Sequence, residues 1–268
     1  MILLKDLNIK HLTDILISFG NENTIFHSEA QFQFELAWML QQRVKCKVKL
    51  EEMSVLFTKN IDVPNSKEQT QKIYTDIMLE DESGYRIAIE LKYKTAALGS
   101  TNSDIFLLNH GAVDLGRYDF LWDVYRIELL LDQKKSSSNL ELDTKVTIRK
   151  PCNKGFAIML TNEEKYWKGI PNQTKITIDN QFKIGIQNED NNTGQLLQNK
   201  LDWRRDNGEY TNAIKNTFRA HPIVLNDTYM YEWKNYCKLS MPNCEFKFMI
   251  IEAQSKKNNG VTRKAISE

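Results

Sequence analysis

Apolar residues recur along residues 4–19 at Leu7, Ile9, Leu12, Ile15 and Leu16, the spacing of one helical face, and Gly20 marks its end. Ser28-Glu29-Ala30-Gln31 then has the form of a capping box ahead of the apolar run 32–40. A second helix is therefore expected over about residues 29–42. Beyond it the period falls to two. Residues 48–57 and 73–79 read as strands, 80–84 as a tight polar turn, and 85–94 as the returning strand. In that last strand Ile87, Ile89 and Leu91 share one face, while Ala88, Glu90 and Lys92 share the other. The pattern predicts a hairpin with one apolar and one charged face.

Helical spacing returns over residues 112–132, with a stripe of Leu121, Val124, Tyr125, Leu129 and Leu130. A serine-rich polar break follows at 134–139, then a short apolar strand at 156–160. Residues 172–211, rich in Asn, Gln, Lys and Asp, are expected to form long loops or an insertion. Two closing strands are expected at 229–239 and 246–251, and the polar tail after Ser255 is expected to fray. No internal repeat is present. The order α-α-β-β-β-α-β, irregular segments and two more strands gives an α/β (α+β) fold.

Composition narrows the class. The 268 residues are 41% hydrophobic and 26% charged, with only 11 Gly and 5 Pro, which fits a globular chain and not a disordered or collagenous one. No window approaches 18 uncharged apolar residues, so no membrane span or membrane partner is expected. Lys5 and Asp6 follow Met1-Ile-Leu-Leu too early for a signal-peptide apolar core, and a cytoplasmic protein is expected. Cys46, Cys152, Cys237 and Cys244 form no C-x-x-C pair and are read as reduced, scattered thiols.

The net charge of +1 hides an asymmetry. Residues 1–133 hold 14 basic and 20 acidic residues, whereas the remainder hold 22 and 15. An acidic half beside a basic one admits a polyanionic partner, although two solvated faces of unlike sign would give the same count.

Candidate chemistry gathers on the hairpin. Asp76 ends the apolar part of one strand, and Glu90 and Lys92 lie on one face of its partner, about 7 Å apart along the strand. Charges in so apolar a strand need a compensating partner. A divalent cation is one: Mg²⁺ or Mn²⁺ takes carboxylate oxygens and fills its shell with water and substrate phosphate. Asp76, Glu90 and the carbonyl of Leu91 could hold one ion, with Lys92 orienting the attacking water and stabilising developing charge. Glu29 shares a helical stripe with Phe32, Leu36 and Leu40, so it is either a capping carboxylate or a third, inward-facing ligand. Glu35 lies off that stripe and is the reserve candidate.

Glu29, Asp76, Glu90 and Lys92 match in type and order the PD-(D/E)xK, or restriction-endonuclease-like, nuclease superfamily, which this sequence resembles over residues 25–165. The resemblance implies an α-β-β-β-α-β core, metal-dependent hydrolysis of DNA phosphodiester bonds, and catalytic roles for those four residues. Thr75 stands where the motif's proline precedes the aspartate. The pattern (D/E)-x-K alone is unspecific, for it occurs at Glu90, Asp132, Asp143, Glu163, Glu232 and Glu245. Only at Glu90 do a strand aspartate, an upstream helical glutamate and a following helix-strand unit accompany it. The rival set, Asp227 with Glu245 and Lys247, is followed only by the polar tail.

The domain division expected is a nuclease-like core over residues 1–165 and a C-terminal extension over 166–268 that packs on or completes it. Asp119, Asp123 and Arg126 form a polar stripe on the 112–132 helix, and Arg126 could touch nucleic acid or orient the carboxylates. Lys94, Arg204 and Arg205 are further candidates for phosphate contact. Arg149, Lys150, Lys154, Lys165, Lys168, Lys215 and Arg219, interleaved with Tyr166, Trp167, Trp203 and Phe218, could extend a positive surface along a nucleic acid backbone. Tyr166 and Trp167 fit a core lid equally well. DNA is the expected partner and a homodimer is compatible with cutting two strands. The competing reading is an inactive protein of the same fold that binds nucleic acid or a protein partner.

Overall fold

In the computed structural model, residues 1–59, 69–99, 104–131, 144–148, 150–168, 177–196, 198–205, 208–215, 217, 219–240 and 244–254 are described. The expected break at 134–139 and the tail after Ser255 lie outside them, as do Arg149 and Phe218.

Helix α1 spans Ile9–Asn21 and α2 spans Glu29–Arg43. The first begins later than the apolar pattern suggests. The Asn8 side chain accepts from the His11 N–H at 3.2 Å and so fixes the start, while Leu4–Asp6 forms a separate 3-10 turn. The capping box forms as expected in part. Ser28 accepts from the Gln31 N–H at 3.1 Å, and Gln31 Oε1 reaches back to the His27 N–H at 2.9 Å.

Strands β1 (Lys47–Lys59), β2 (Gln69–Glu80) and β3 (Arg86–Lys94) lead to helix α3 (Val113–Leu131), then β4 (Thr144–Ile148), β5 (Lys154–Thr161), β6 (Lys234–Lys238) and β7 (Glu245–Gln254). Together they build a seven-stranded mixed sheet in the order β6-β7-β5-β3-β2-β1-β4, in which only β3 and β5 run parallel. The fold is α+β. Two departures from the sequence reading matter. Strand β4, unforeseen, adds an edge beside β1. The expected strand 229–239 splits: Tyr229–Glu232 pairs with Thr193–Leu196 in a separate ribbon, and only Lys234–Lys238 joins the main sheet. As the apolar strand requires, the hairpin's charged face is covered, by α3.

Each face of the sheet carries its own core. Ile77, Leu79, Ile87, Ile89, Leu91, Phe156 and Ile158 pack with α1 and α2, whereas Met78, Ala88, Ala157, Met159 and Met249 pack with α3. A sheet buried on both sides reads as nearly continuous apolar sequence, and β5 is buried along its whole length. Strand β7, from the C-terminal extension, pairs along all of β5, so the sheet continues past residue 165. Close approach is built in at Gly20, where an added Cβ would stand 1.9 Å from the Tyr236 carbonyl oxygen. Among the described residues, no helix is long and apolar enough to cross a membrane.

Candidate active site

Strands β2 and β3 pair only over Ile77–Glu80 and Arg86–Ile89. Past that point β2 parts from β3, and the β3 amides facing it lose their ladder acceptors. Side-chain carboxylates replace them. Asp76 Oδ2 accepts from the Leu91 N–H at 2.6 Å, and Glu29 Oε2, brought in by the first turn of α2, accepts from the Tyr93 N–H at 2.7 Å. The two acids thus line successive rungs of β3. Thr75, in place of the motif's proline, donates to Ser54 Oγ at 2.7 Å within the buried strand pair.

Glu90 and Lys92 turn to the α3 side of β3. Glu90 is 1% exposed, and its Oε1 pairs with Arg126 at 2.8 Å. Lys92 Nζ lies 2.6 Å from Asp123 Oδ2 and donates to the Leu91 carbonyl at 3.0 Å. Asp123, 2% exposed, also pairs with Arg126 at 3.1 Å, and Arg126 donates to the Tyr74 carbonyl. The result is a charged chain, Glu90–Arg126–Asp123–Lys92, enclosed between sheet and helix. Two cations face two anions within it, and Asp76 adds a third anion.

That surplus is visible in the acidities. Burial, reinforced by the charge of Asp123, pushes the Asp76 carboxyl up to about 6, against the pull of Lys92, the Leu91 N–H and Arg126. Burial, with the charges of Asp76 and Asp123, likewise raises Glu90 well above the ordinary carboxylate range, against Arg126 and Lys92. Burial works against charge on Lys92, yet Asp123, Glu29 and Asp76 hold its ammonium above the ordinary lysine range. Lys92 is a hydrogen-bond donor here and not a proton acceptor.

Three atoms of this charged chain are buried without a hydrogen-bond partner, Glu90 Oε2, Asp123 Oδ2 and Arg126 Nε, of which Asp123 Oδ2 lies in the Lys92 ion pair. Glu90 Oε2 is sealed from solvent without a hydrogen-bond partner. An orphaned carboxylate oxygen beside a second acid whose proton is held to about 6 fits a hard cation. Asp76, Glu90 and the Leu91 carbonyl supply the oxygen donors it prefers. Among the described residues, no three His, Cys, Asp or Glu side chains gather as a metal-holding group. Glu29, given to the Tyr93 amide, lines the strand one rung on. Glu35, the reserve candidate, is half-buried on α2.

The other candidates fall elsewhere. Arg126 is half-buried and paired with Glu90 and Asp123, while Asp119 leaves the expected stripe to pair with Arg219 at 2.7 Å. Lys94 is half-buried at the end of β3, where its charge bears on His110. Arg205 pairs with Asp202 at 3.0 Å and lies 4.3 Å over the Tyr210 ring. Arg204 lines a cleft of about 1380 Å³ near the start of α3, with Asn109, Asp114, Arg117 and Lys168. Tyr166, Trp167 and Trp203 are buried in the core, so these aromatics do not form a platform for bases. Much of the basic surplus is also matched locally, as Lys168 is by Glu164 at 2.5 Å and Lys215 by Glu209 at 2.7 Å.

Sequence reasoning passed over Gln33 and Glu51, which flank Asp76. Gln33 Nε2 donates to the Asp76 carbonyl at 2.7 Å and to Glu51 Oε1 at 2.8 Å. The one available signal was spacing, since Gln33 follows Glu29 by four residues and shares its helix face. Compared with protein-family models, curated proteins and solved structures, the chain matches none.

Proposed function

We propose that this chain is a metal-dependent phosphodiesterase acting on DNA, with a restriction-endonuclease-like core, and that Asp76, Glu90 and Lys92 form its reactive centre. The observation that carries the reading is the orphaned Glu90 oxygen beside the proton-retaining Asp76 in a wedge that also holds Lys92. Asp76, Glu90 and the Leu91 carbonyl would hold Mg²⁺ or Mn²⁺, and Glu29 steadies the next rung of β3. Bound there, the cation supplies Lewis-acid polarisation of the scissile phosphate.

The protein's own part is positional and electrostatic. Lys92, held charged by Asp123, donates to the incoming water and to the phosphate oxygens as negative charge builds on them. Arg126 fixes Glu90 so that one oxygen remains for the cation. Burial keeps bulk water from screening these charges.

An inactive, nucleic-acid- or protein-binding role for the same fold draws support from one observation. The chain Glu90–Arg126–Asp123–Lys92 is already paired internally. Calorimetric titration with Mn²⁺ separates the two. The catalytic reading expects one binding event on the wild type that is lost in Asp76→Asn and in Glu90→Gln. No binding heat on the wild type overturns it.

A further inference from the structure

The β1–β2 ladder keeps one register from Lys47↔Glu80 to Leu50↔Ile77 and again at Glu52↔Thr75 and Met53↔Tyr74. Between these stretches Glu51 and Asp76 drop out of the pairing. Glu51 has φ +50°, a left-handed conformation that a glutamate adopts only when its surroundings demand it. At the gap the Asp76 carbonyl accepts from a side chain, at the residue whose carboxylate turns out of the ladder toward Leu91.

Gln33 fills the gap. Its carboxamide nitrogen has two N–H groups, one for the Asp76 carbonyl at 2.7 Å and one for Glu51 Oε1 at 2.8 Å. Glu29, one helical turn earlier, holds the Tyr93 amide. A single face of α2 therefore grips both strands where they separate: β2 through Gln33 and β3 through Glu29.

We propose that Gln33, braced by Glu51, is a positioning residue that fixes the Asp76 peptide so that its carboxylate points at Leu91 and the cation-binding wedge. The inference rests on the phosphodiesterase reading for its purpose but on the β1–β2 gap for its geometry. Without the Gln33 donor, the Asp76 peptide is free to rotate and re-enter the ladder opposite Glu51. The carboxylate then swings off the Leu91 amide. Partners that orient a ligand in this way commonly change metal affinity 10–100-fold when removed.

The test compares the wild type with Gln33→Leu, which keeps helix propensity and removes the donor. Gln33→Met, closer to Gln in length, serves if the leucine variant folds poorly. The first readout is the Leu91 amide proton resonance, expected well downfield in the wild type and shifted upfield in the variant. The second is Mn²⁺ affinity, expected to fall roughly 10-fold. A plug that merely fills space would lower the melting temperature without moving the Leu91 resonance. An unmoved resonance, or a Mn²⁺ affinity left unchanged by Gln33→Leu, overturns the inference. If the wild type binds no Mn²⁺, the phosphodiesterase reading fails alone, and the Leu91 resonance still decides whether Gln33 holds Asp76.

Discussion

Asp76 carries the site's clearest electrostatic signature. Its carboxyl is raised from the usual 3.8 to about 6 in the folded protein, chiefly by burial. The folded state therefore holds this proton more tightly than the unfolded chain does. The stabilisation it gives is fully present below pH 3.8 and is lost as pH rises through about 6. Above that pH, without a cation, the ionised carboxylate is a cost to folding. Asp76→Asn should accordingly raise metal-free stability at pH 7.5, on the order of 1 kcal/mol, and the gain should vanish near pH 4. Urea melts at the two pH values check this. A variant equally stable to the wild type at both would mean that the carboxylate is not held under strain. The same proton competes with Mn²⁺, so cation affinity should weaken as pH falls through 6.

At the scale of elements, the site depends on how closely α1, α2 and the sheet approach one another. Gly20, in the last turn of α1, meets the Tyr236 backbone of β6, and no flexible side chain stands there to give way. Gly20→Ala should therefore cost roughly 2–4 kcal/mol, measured by urea denaturation, because backbone must move to admit one methyl group. A cost below about 0.5 kcal/mol would mean that α1 does not dock on β6 as described.

Elements also differ in what their sequence betrays. The β3 alternation was legible because a strand buried on one face by α1 and α2 must repeat Ile87, Ile89, Leu91 with period two. Glu90 and Lys92 stood out against it for the same reason. The kink at Glu51 was not legible. No glycine or proline marks it, and the residue that fills the gap beside it, Gln33, reaches Glu51 across 18 positions and Asp76 across 43. A half-buried glutamine within an amphipathic helix reads as surface until its partner is placed.

At the scale of the molecule, non-local pairing set the limit of sequence reading. Strand β7 lies beside β5 despite the long irregular stretch between them, and apolar content alone cannot place a strand within a sheet. The charge asymmetry sharpened as well. The acidic half keeps its surplus partly in a buried wedge, where burial holds the protons of Asp76 and Glu90 to higher pH than in ordinary carboxyls. The basic half spends many of its cations on neighbours such as Asp119, Asp202, Glu164 and Glu209.

Whether Asp76, Glu90 and Lys92 hydrolyse DNA with a divalent cation is decided by one cleavage assay. Wild type, Asp76→Ala and Lys92→Ala are incubated with supercoiled plasmid, linear duplex and single-stranded DNA in Mn²⁺, with chelator as the control. The wild type should cut at least one substrate, chelation should stop it, and each substitution should lower the rate at least 100-fold, the scale of removing one charge-stabilising group. If Asp76→Ala or Lys92→Ala cuts as well as the wild type, or if the wild type cuts none of the three, the claim is contradicted.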